Sequence, residues 1–295
     1  GPSHRPRSIA GLFQVHPTPI PRMGRLSKDK RDVYYREAKK EGFRARSAFK
    51  LLQIDEELGL LQGVRRVADL CAAPGGWSQV LAMRLLARGE EGEAADGPEE
   101  EGEQACIVAV DKYEMQPIEG VVQVQGDITH ASTAQAVLQH FGGLRADLVV
   151  CDGAPDTTQR TDFDEYVQHQ LLLSEFLLAT ALLRPGGTFL AKIFRGEHAG
   201  EVYARLGLDF AEVLCCKPRA SRNSSQEAFV VCRGFQPREG FDAANTLYSP
   251  DRHEELLADL GTGAPCAAVR FVACGPRDGL DADTSYPVDA YHEVI

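Results

Sequence analysis

The chain has 295 residues, 43% of them hydrophobic and 25% charged, which suffices for one large α/β domain with extensions or for two small domains. No run of 18 apolar residues occurs, which excludes a membrane-spanning helix, and the composition excludes a fibrous or wholly disordered chain. The eight cysteines form no C-x-x-C pair and mostly lie in apolar runs. This pattern predicts reduced thiols in a cytoplasmic-type compartment, without a disulfide framework or a metal site.

The net charge of −11 is unevenly distributed along the chain. Residues 1–66 hold 15 Lys/Arg against 7 Asp/Glu, whereas 89–104 carry eight acids and no base, and 236–295 hold 11 acids against 4 bases. A basic face on an acidic protein is therefore possible, and a nucleic-acid partner stays open.

The chain divides into three parts. Residues 1–22 contain no acid and are expected to be a disordered extension, a targeting segment or a cloning remnant. Residues 23–239 form the main domain, in which the acidic stretch 89–104 is predicted to be a disordered insert. Residues 240–295 have weak periodicity and are expected to form an irregular C-terminal appendage.

From residue 64 onward, strand-like and helix-like stretches alternate, which predicts an α/β fold with a mostly parallel sheet. The predicted strands are 66–71, 106–111, 121–127, 146–152, 187–194, 212–218 and 227–235. The predicted helices between them are 76–88, 131–141, 164–183 and 198–209. Seven strands with helices on both faces are expected, and "RPGG" at 184–187 is predicted to end the long helix.

The turn "DLCAAPGGWSQVL", 69–81, follows the first strand and opens a helix, as in nucleotide-type binding turns. It lacks the three spaced glycines of G-x-G-x-x-G, which disfavours an NAD-linked enzyme. A tight strand-to-helix connection without ligand is the alternative interpretation.

Four charged residues lie at strand ends and should meet at the carboxyl edge of a parallel sheet: Asp111, Asp127, Asp152 and Lys192. Asp111 is placed to accept hydrogen bonds from a ribose diol, or it is only an exposed strand end. Asp127 is placed to meet an adenine amino group, or it caps the following helix.

Lys192 interrupts the apolar strand "FLAKIF", where an unpaired ammonium would cost several kcal/mol. It therefore needs an anionic partner, for which Asp152 is the natural candidate, or a lowered pKa that would suit a general base. Glu227 opens the last strand and would join this pair if that strand is antiparallel to the others; otherwise it is a surface glutamate.

Lys50 lies in "RARSAFKLL", on a helix for which Ser47 is a plausible N-cap. It shares a stripe with Gln53 and Glu57, so periodicity alone favours a solvated side chain. The basic segment around it alternates with aromatic residues, which is typical of RNA-binding surfaces and equally of an ordinary solvated helix. The candidate RNA contacts are Lys28, Lys30, Arg31, Tyr34, Arg36, Arg44 and Arg46.

Together these residues resemble the FtsJ-like ribose 2′-O-methyltransferases. The similar motifs are "RSAFKL" (46–51), "DLCAAPGGWSQ" (69–79), "DLVVCDGAPD" (147–156), "GGTFLAKIFRG" (186–196) and "SRNSSQEAFVVC" (221–232). The resemblance implies a Rossmann-like class I fold with the last strand antiparallel, S-adenosyl-L-methionine as cofactor, and a catalytic tetrad of Lys50, Asp152, Lys192 and Glu227. It implies cofactor contacts from Ala73, Pro74, Gly75, Gly76, Trp77, Asp111, Asp127 and Asp152.

The stretches at 23–55 and 271–287 are similar to the eukaryotic branch of that family that methylates riboses 32 and 34 of the tRNA anticodon loop. This implies tRNA as substrate and two auxiliary subunits, a WD-repeat protein for position 34 and a large helical-repeat protein for position 32. The alternatives are a ribosomal-RNA 2′-O-methyltransferase, possible in an organelle, and an inactive subunit that binds cofactor and RNA.

Overall fold

The computed structural model describes residues 32–87, 105–155, 161–237 and 268–284. The extension 1–22, the acidic insert and most of the region beyond 237 therefore lie outside the described residues. No helix in the described ranges is long and apolar enough to cross a membrane.

Six helices and eight strands follow one another along the described chain. The helices are α1 (Val33–Glu41), α2 (Ala48–Leu58), α3 (Gly76–Leu86), α4 (Ala131–His140), α5 (Thr161–Leu182) and α6 (Ala199–Leu206). The strands are β1 (Arg66–Leu70), β2 (Cys106–Asp111), β3 (Val121–Gln125), β4 (Ala146–Cys151), β5 (Leu183–Phe194), β6 (Phe210–Pro218), β7 (Glu227–Phe235) and β8 (Arg270–Cys274). The predicted elements are confirmed within a few residues at their ends.

All eight strands form one sheet in the order β3-β2-β1-β4-β5-β7-β6-β8. β7 is antiparallel to both β5 and β6, and the other neighbours are parallel, as the resemblance implied. The predicted count of seven strands was wrong, because β8 pairs with β6 from within the segment that we expected to be irregular. Since β7 runs against the rest, its first residue lies at the edge where β4 and β5 end.

Both faces of the sheet are buried, which explains the continuous apolar runs of the central strands. One core contains Leu70, Val149 and Phe189 together with apolar side chains of α4, α5 and α6. The other contains Val67 and Leu148 together with side chains of α2 and α3. Since both faces of the sheet are covered, its carboxyl edge is where a reactive site can form.

The turn "RPGG" lies inside β5 rather than between the long helix and the strand, which corrects the predicted boundary. Leu183 already pairs with Ala146, and the pairing resumes only at Thr188 opposite Leu148, so the intervening residues form a bulge. Asp147 holds this irregularity, because its carboxylate contacts the Arg184 guanidinium at 2.6 Å and accepts the backbone N–H groups of Arg65 and Arg66.

The described part of the C-terminal segment is attached to the N-terminal helices. The Tyr34 hydroxyl donates to the Leu280 carbonyl oxygen at 2.7 Å, and the Asn223 N–H donates to Asp283 at 2.6 Å. Gln53 joins the same region, since its amide accepts the Ala220 N–H and donates to the Tyr34 hydroxyl. Residues 268–284 therefore pack on the domain rather than trailing from it.

A carboxyl group is completely buried in the helical layer below the sheet edge. Glu175 on α5 has no exposed surface, and neither of its side-chain oxygens has a well-formed hydrogen bond. Burial raises the pKa of Glu175 to about 8. The side chain is therefore a neutral acid at pH 7, a form that costs far less to bury than a carboxylate.

We predict that Glu175→Gln increases the free energy of unfolding at alkaline pH relative to the unmodified chain. Between about pH 4.5 and pH 8 the folded state retains a proton that the unfolded state has lost, so stability falls as the pH rises through this window. Glutamine keeps the shape and has no proton to lose. Urea unfolding gives the free energy of unfolding of both proteins at pH 5 and at pH 8.5. The value for the variant minus the value for the unmodified chain should be larger at pH 8.5 than at pH 5 by about 1 kcal/mol or more.

The exposed Glu56 provides the matched control. The free energy of unfolding of Glu56→Gln minus that of the unmodified chain should be the same at both pH values. A pH-independent effect of Glu175→Gln would show that Glu175 is ionised in the folded protein.

Candidate active site

Four elements bring four charged side chains to the carboxyl edge of the sheet. Asp152 directly follows β4, Lys192 lies near the end of β5, and Glu227 is the first residue of the antiparallel β7. Lys50 comes from the first turn of α2, which crosses this edge from the N-terminal side. The structure thus brings together the four residues of the predicted tetrad.

The four groups form a closed network in which cations and carboxylates alternate. The Lys192 ammonium lies 2.6 Å from Asp152 Oδ1 and 3.5 Å from Glu227 Oε2. The Lys50 ammonium lies 2.8 Å from the same Glu227 oxygen and 3.8 Å from Asp152 Oδ1. Lys192 also donates to the backbone oxygen of Asp152 at 2.9 Å, which fixes its position.

The network is largely withdrawn from water, with side-chain exposures between 7% and 16%. Burial would raise the pKa of Glu227, but Lys50 and Lys192 outweigh it and lower the pKa to about 2. Burial would lower the pKa of Lys192, but Asp152 and Glu227 outweigh it and raise the pKa above its ordinary value. Of the two alternatives considered for Lys192, the structure supports the anionic partner Asp152 and not a lowered pKa.

The solvated position that periodicity favoured for Lys50 is also wrong, since the residue is only 8% exposed. Its neighbour on the stripe, Gln53, is equally buried by the contacts with Ala220 and Tyr34, whereas Glu57 is exposed. Ser47 precedes α2 but makes no side-chain capping bond. Two of the three residues of the polar stripe, Lys50 and Gln53, are thus buried in contacts with Glu227, Ala220 and Tyr34, and only Glu57 faces water.

The turn after β1 surrounds a small cleft that opens toward Asp152. Its lining includes Ser47, Asp69, Cys71, Ala72, Ala73, Pro74, Gly76, Trp77 and Asp152. Gly75 has a φ of 107°, and a Cβ there would lie 2.8 Å from Ile118 and 2.9 Å from the Arg44 guanidinium. Glycine at position 75 therefore allows both the positive φ and the close packing of Ile118 and Arg44 against the turn that precedes α3.

The two predicted nucleoside acids lie at the carboxyl ends of the neighbouring strands β2 and β3. Asp111 accepts the backbone N–H groups of Ala73 and Tyr113, which ties the end of β2 to the turn. Asp127 is exposed and accepts from the Thr129 backbone N–H and hydroxyl, while α4 starts later, after His130. Asp127 is therefore not the helix cap that was considered, and it remains accessible to a base.

This arrangement fits S-adenosyl-L-methionine. The turn 72–77 would hold the methionine part, and Asp111 and Asp127, at the ends of two neighbouring strands, would hold the adenosine part. Burial raises the pKa of Asp69, which lines the same cleft, to about 7 even though Ser78 donates a hydrogen bond to it.

Several predicted RNA contacts have structural partners instead. Tyr34 is 4% exposed and packs on Phe49, so its ring is not available for base stacking. Arg46 pairs with Asp32 and donates to the Ala220 carbonyl oxygen.

Arg44 donates to the carbonyl oxygens of Pro74, Gln116 and Pro117, so it supports the cofactor turn rather than a phosphate. Arg36 is half-buried, and Lys28, Lys30 and Arg31 lie outside the described residues.

Two supporting residues, Ser221 and Gln168, were not predicted from the sequence. The Ser221 hydroxyl donates to Glu227 Oε1 at 2.5 Å, which orients that carboxylate. Gln168 on α5 donates to the carbonyl oxygens of Gly153 and Lys192. Ser221 lies within the motif "SRNSSQEAFVVC", which would have directed attention to it.

Cys71, Cys151 and Glu175 lie behind this edge with possible ligand atoms within 4.8 Å of one another. Burial raises the pKa of both Cys151 and Glu175, so these two groups are protonated at neutral pH. A cation would have to displace both protons to bind there.

Comparisons with known proteins agree with this geometry. Residues 43–235 match the family described as FtsJ-like methyltransferase. The chain is 52% identical to the human tRNA (cytidine(32)/guanosine(34)-2′-O)-methyltransferase over 90% of its length and 77% of the relative. It is also 52% identical to the protein of the same name from Schizosaccharomyces pombe, over 90% of this chain and 89% of that one.

The chain is also similar to two more distant methyltransferases. The chain is 38% identical to ribosomal RNA large subunit methyltransferase E of Methanothrix thermoacetophila over 70% of its length and 73% of the relative. A crystal structure titled as a ribosomal RNA methyltransferase of Plasmodium falciparum shares the fold, with a TM-score of 0.56 and 23% identity, over 66% of this chain and all of that one. The chain therefore belongs to the FtsJ-like methyltransferase family and uses S-adenosyl-L-methionine as its methyl donor.

Proposed function

We propose that this protein methylates the ribose 2′-hydroxyl of nucleotides 32 and/or 34 in the tRNA anticodon loop. The observation that carries the chemistry is the buried network of Lys50, Asp152, Lys192 and Glu227 beside the cofactor cleft. The substrate rests on the relatives, because those that match over 90% of the chain at 52% identity carry this specificity in their names.

The reaction needs alignment and proton removal more than electrophilic activation. The cofactor supplies a methyl group on a cationic sulfur, which is already a good leaving group. A ribose hydroxyl is a poor nucleophile, so the protein must place its oxygen in line with the methyl group and provide a path for the proton. Lys192 is the side chain best placed to orient the hydroxyl, since Asp152 and Glu227 hold its ammonium in a fixed position.

In its charged form Lys192 donates a hydrogen bond to the hydroxyl oxygen and orients a lone pair toward the methyl group. It accepts the hydroxyl proton only in the neutral form, whose population increases with pH. Asp152 positions Lys192, and Lys50 with Glu227 completes the charge balance and contacts the target ribose. The two carboxylates also offset the positive charge that a bound cofactor adds.

The ribosomal-RNA alternative is weaker because the relative with that name is only 38% identical over a shorter part of the chain. The inactive-subunit alternative is weaker because all four charged residues are present and in contact. The proposal includes a WD-repeat partner for position 34 and a large helical-repeat partner for position 32. Activity on tRNA without these auxiliary subunits is then expected to be weak.

Replacing Lys192 with Ala should abolish methyl transfer while leaving cofactor binding intact. The side chain lies at the reacting edge, whereas the cofactor turn is held separately by Asp111 and Arg44. Single-turnover methylation with labelled cofactor should fall by at least about 100-fold, in the range typical for loss of a general acid–base group. Calorimetric titration with the cofactor tests binding, and a variant that retains turnover would contradict this assignment.

The substrate is tested with purified protein, with and without the auxiliary subunits, on tRNA and on ribosomal-RNA transcripts. We expect methyl incorporation into tRNA, and mapping of the product should place the methyl group on ribose 32 or ribose 34. Lys192→Ala serves as the background control for both substrates. Incorporation into ribosomal RNA alone would replace the proposed substrate without changing the chemistry.

A further inference from the structure

We propose that Phe271, with Arg195 and Lys217, forms a ledge beside the active site on which a base of the substrate RNA stacks. This inference rests on the proposed function and names a specific contact for its substrate. Phe271 belongs to β8, which lies beyond residue 235, where the match to the family ends.

Phe271 is exposed, as are Arg270 and Ala273 on the same strand. Its relative exposure is 51%, whereas Val272 and Cys274 pack in the core on the opposite face of the sheet. Successive side chains of a strand alternate between faces, so the fold itself requires an outward residue at 271. Stability does not require a phenylalanine at this position, because only part of its apolar surface is buried.

A cation already lies against this ring. The Arg195 guanidinium is 5.2 Å from the centre of the Phe271 ring, within the range of a cation–π contact. Because the guanidinium lies over one face of the ring, a base would stack on the other face, next to this positive charge. RNA-binding proteins use this combination for unpaired nucleotides, because every base has a π face and every nucleotide carries a phosphate.

The ledge is connected to the catalytic edge by direct contacts. Arg195 follows Phe194, which pairs with Glu227, and its backbone N–H donates to Gln226 at 2.9 Å. The Lys217 ammonium donates to the backbone oxygens of Ser225 at 2.7 Å and Glu227 at 2.8 Å. Lys217 also pairs with Ala273, two residues after Phe271.

The charges of the ledge favour an anion. Burial and the neighbouring Arg195 cation lower the pKa of Lys217 from its ordinary value. A phosphate placed between the two side chains would relieve this repulsion and add charge-assisted hydrogen bonds. A nucleotide that neighbours the target ribose could thus stack on Phe271 while its phosphate meets Arg195 and Lys217.

Phe271→Ala tests the ledge. We expect the KM for tRNA to increase about five-fold or more, or the Kd of a labelled anticodon stem-loop to increase similarly, because a stacking platform is lost. The affinity for S-adenosyl-L-methionine and the melting temperature should stay near those of the unmodified protein, since Phe271 is half exposed, does not line the cleft and belongs to neither buried core. Phe271→Trp should retain tight RNA binding, because it keeps an aromatic face.

The matched control is Leu208→Ala, which removes an apolar side chain that is 60% exposed and has no aromatic face. Unchanged KM and Kd in Phe271→Ala, measured with active protein, would overturn the ledge and leave the proposed function intact. Loss of only the stimulation by an auxiliary subunit would also overturn it, because Phe271 would then be a protein contact. Absence of tRNA methylation in the unmodified protein would instead refute the proposed function, and the stem-loop Kd would still decide the ledge.

Discussion

The structure depends on one electrostatic requirement, the mutual neutralisation of two ammonium groups and two carboxylates in a site that is almost closed to water. Each of these ions alone would be costly to bury, and together they satisfy one another at distances of 2.6 to 3.8 Å. Because the four groups come from β4, β5, β7 and α2, the network also fixes how these elements meet. The reversal of β7 is part of this requirement, since a parallel strand would carry Glu227 to the opposite edge.

The basic N-terminal segment contributes mainly structure in its described part. Arg44 holds the cofactor turn against the loop before β3, and Arg46 neutralises the buried Asp32. These are roles that planar, multidentate guanidinium groups perform better than lysine. Part of the positive charge that was attributed to RNA binding thus stabilises the fold.

The central part of the fold could be predicted from the sequence because a parallel sheet covered on both faces produces unbroken apolar runs. Lys192 was identified for the same reason, as an ion in a run that should contain none. Lys50 was placed in the tetrad only through the resemblance, because helical periodicity cannot show that Glu227 and Ala220 meet the polar side of α2. β8 was missed since it is short and pairs with β6 across more than 50 residues, and the bulge in β5 was missed since Asp147 stabilises it from another strand.

The position of β8 has a consequence for how such enzymes diversify. The charged network is formed by residues 50 to 227, whereas the outer strand and the turns up to Asp283 are attached at the far side of β6. Substitutions in β8 and the turns that follow it can alter which macromolecule binds at the catalytic edge without disturbing the four charged side chains. The fold therefore separates the reaction centre from a peripheral strand that contributes none of its four charged groups.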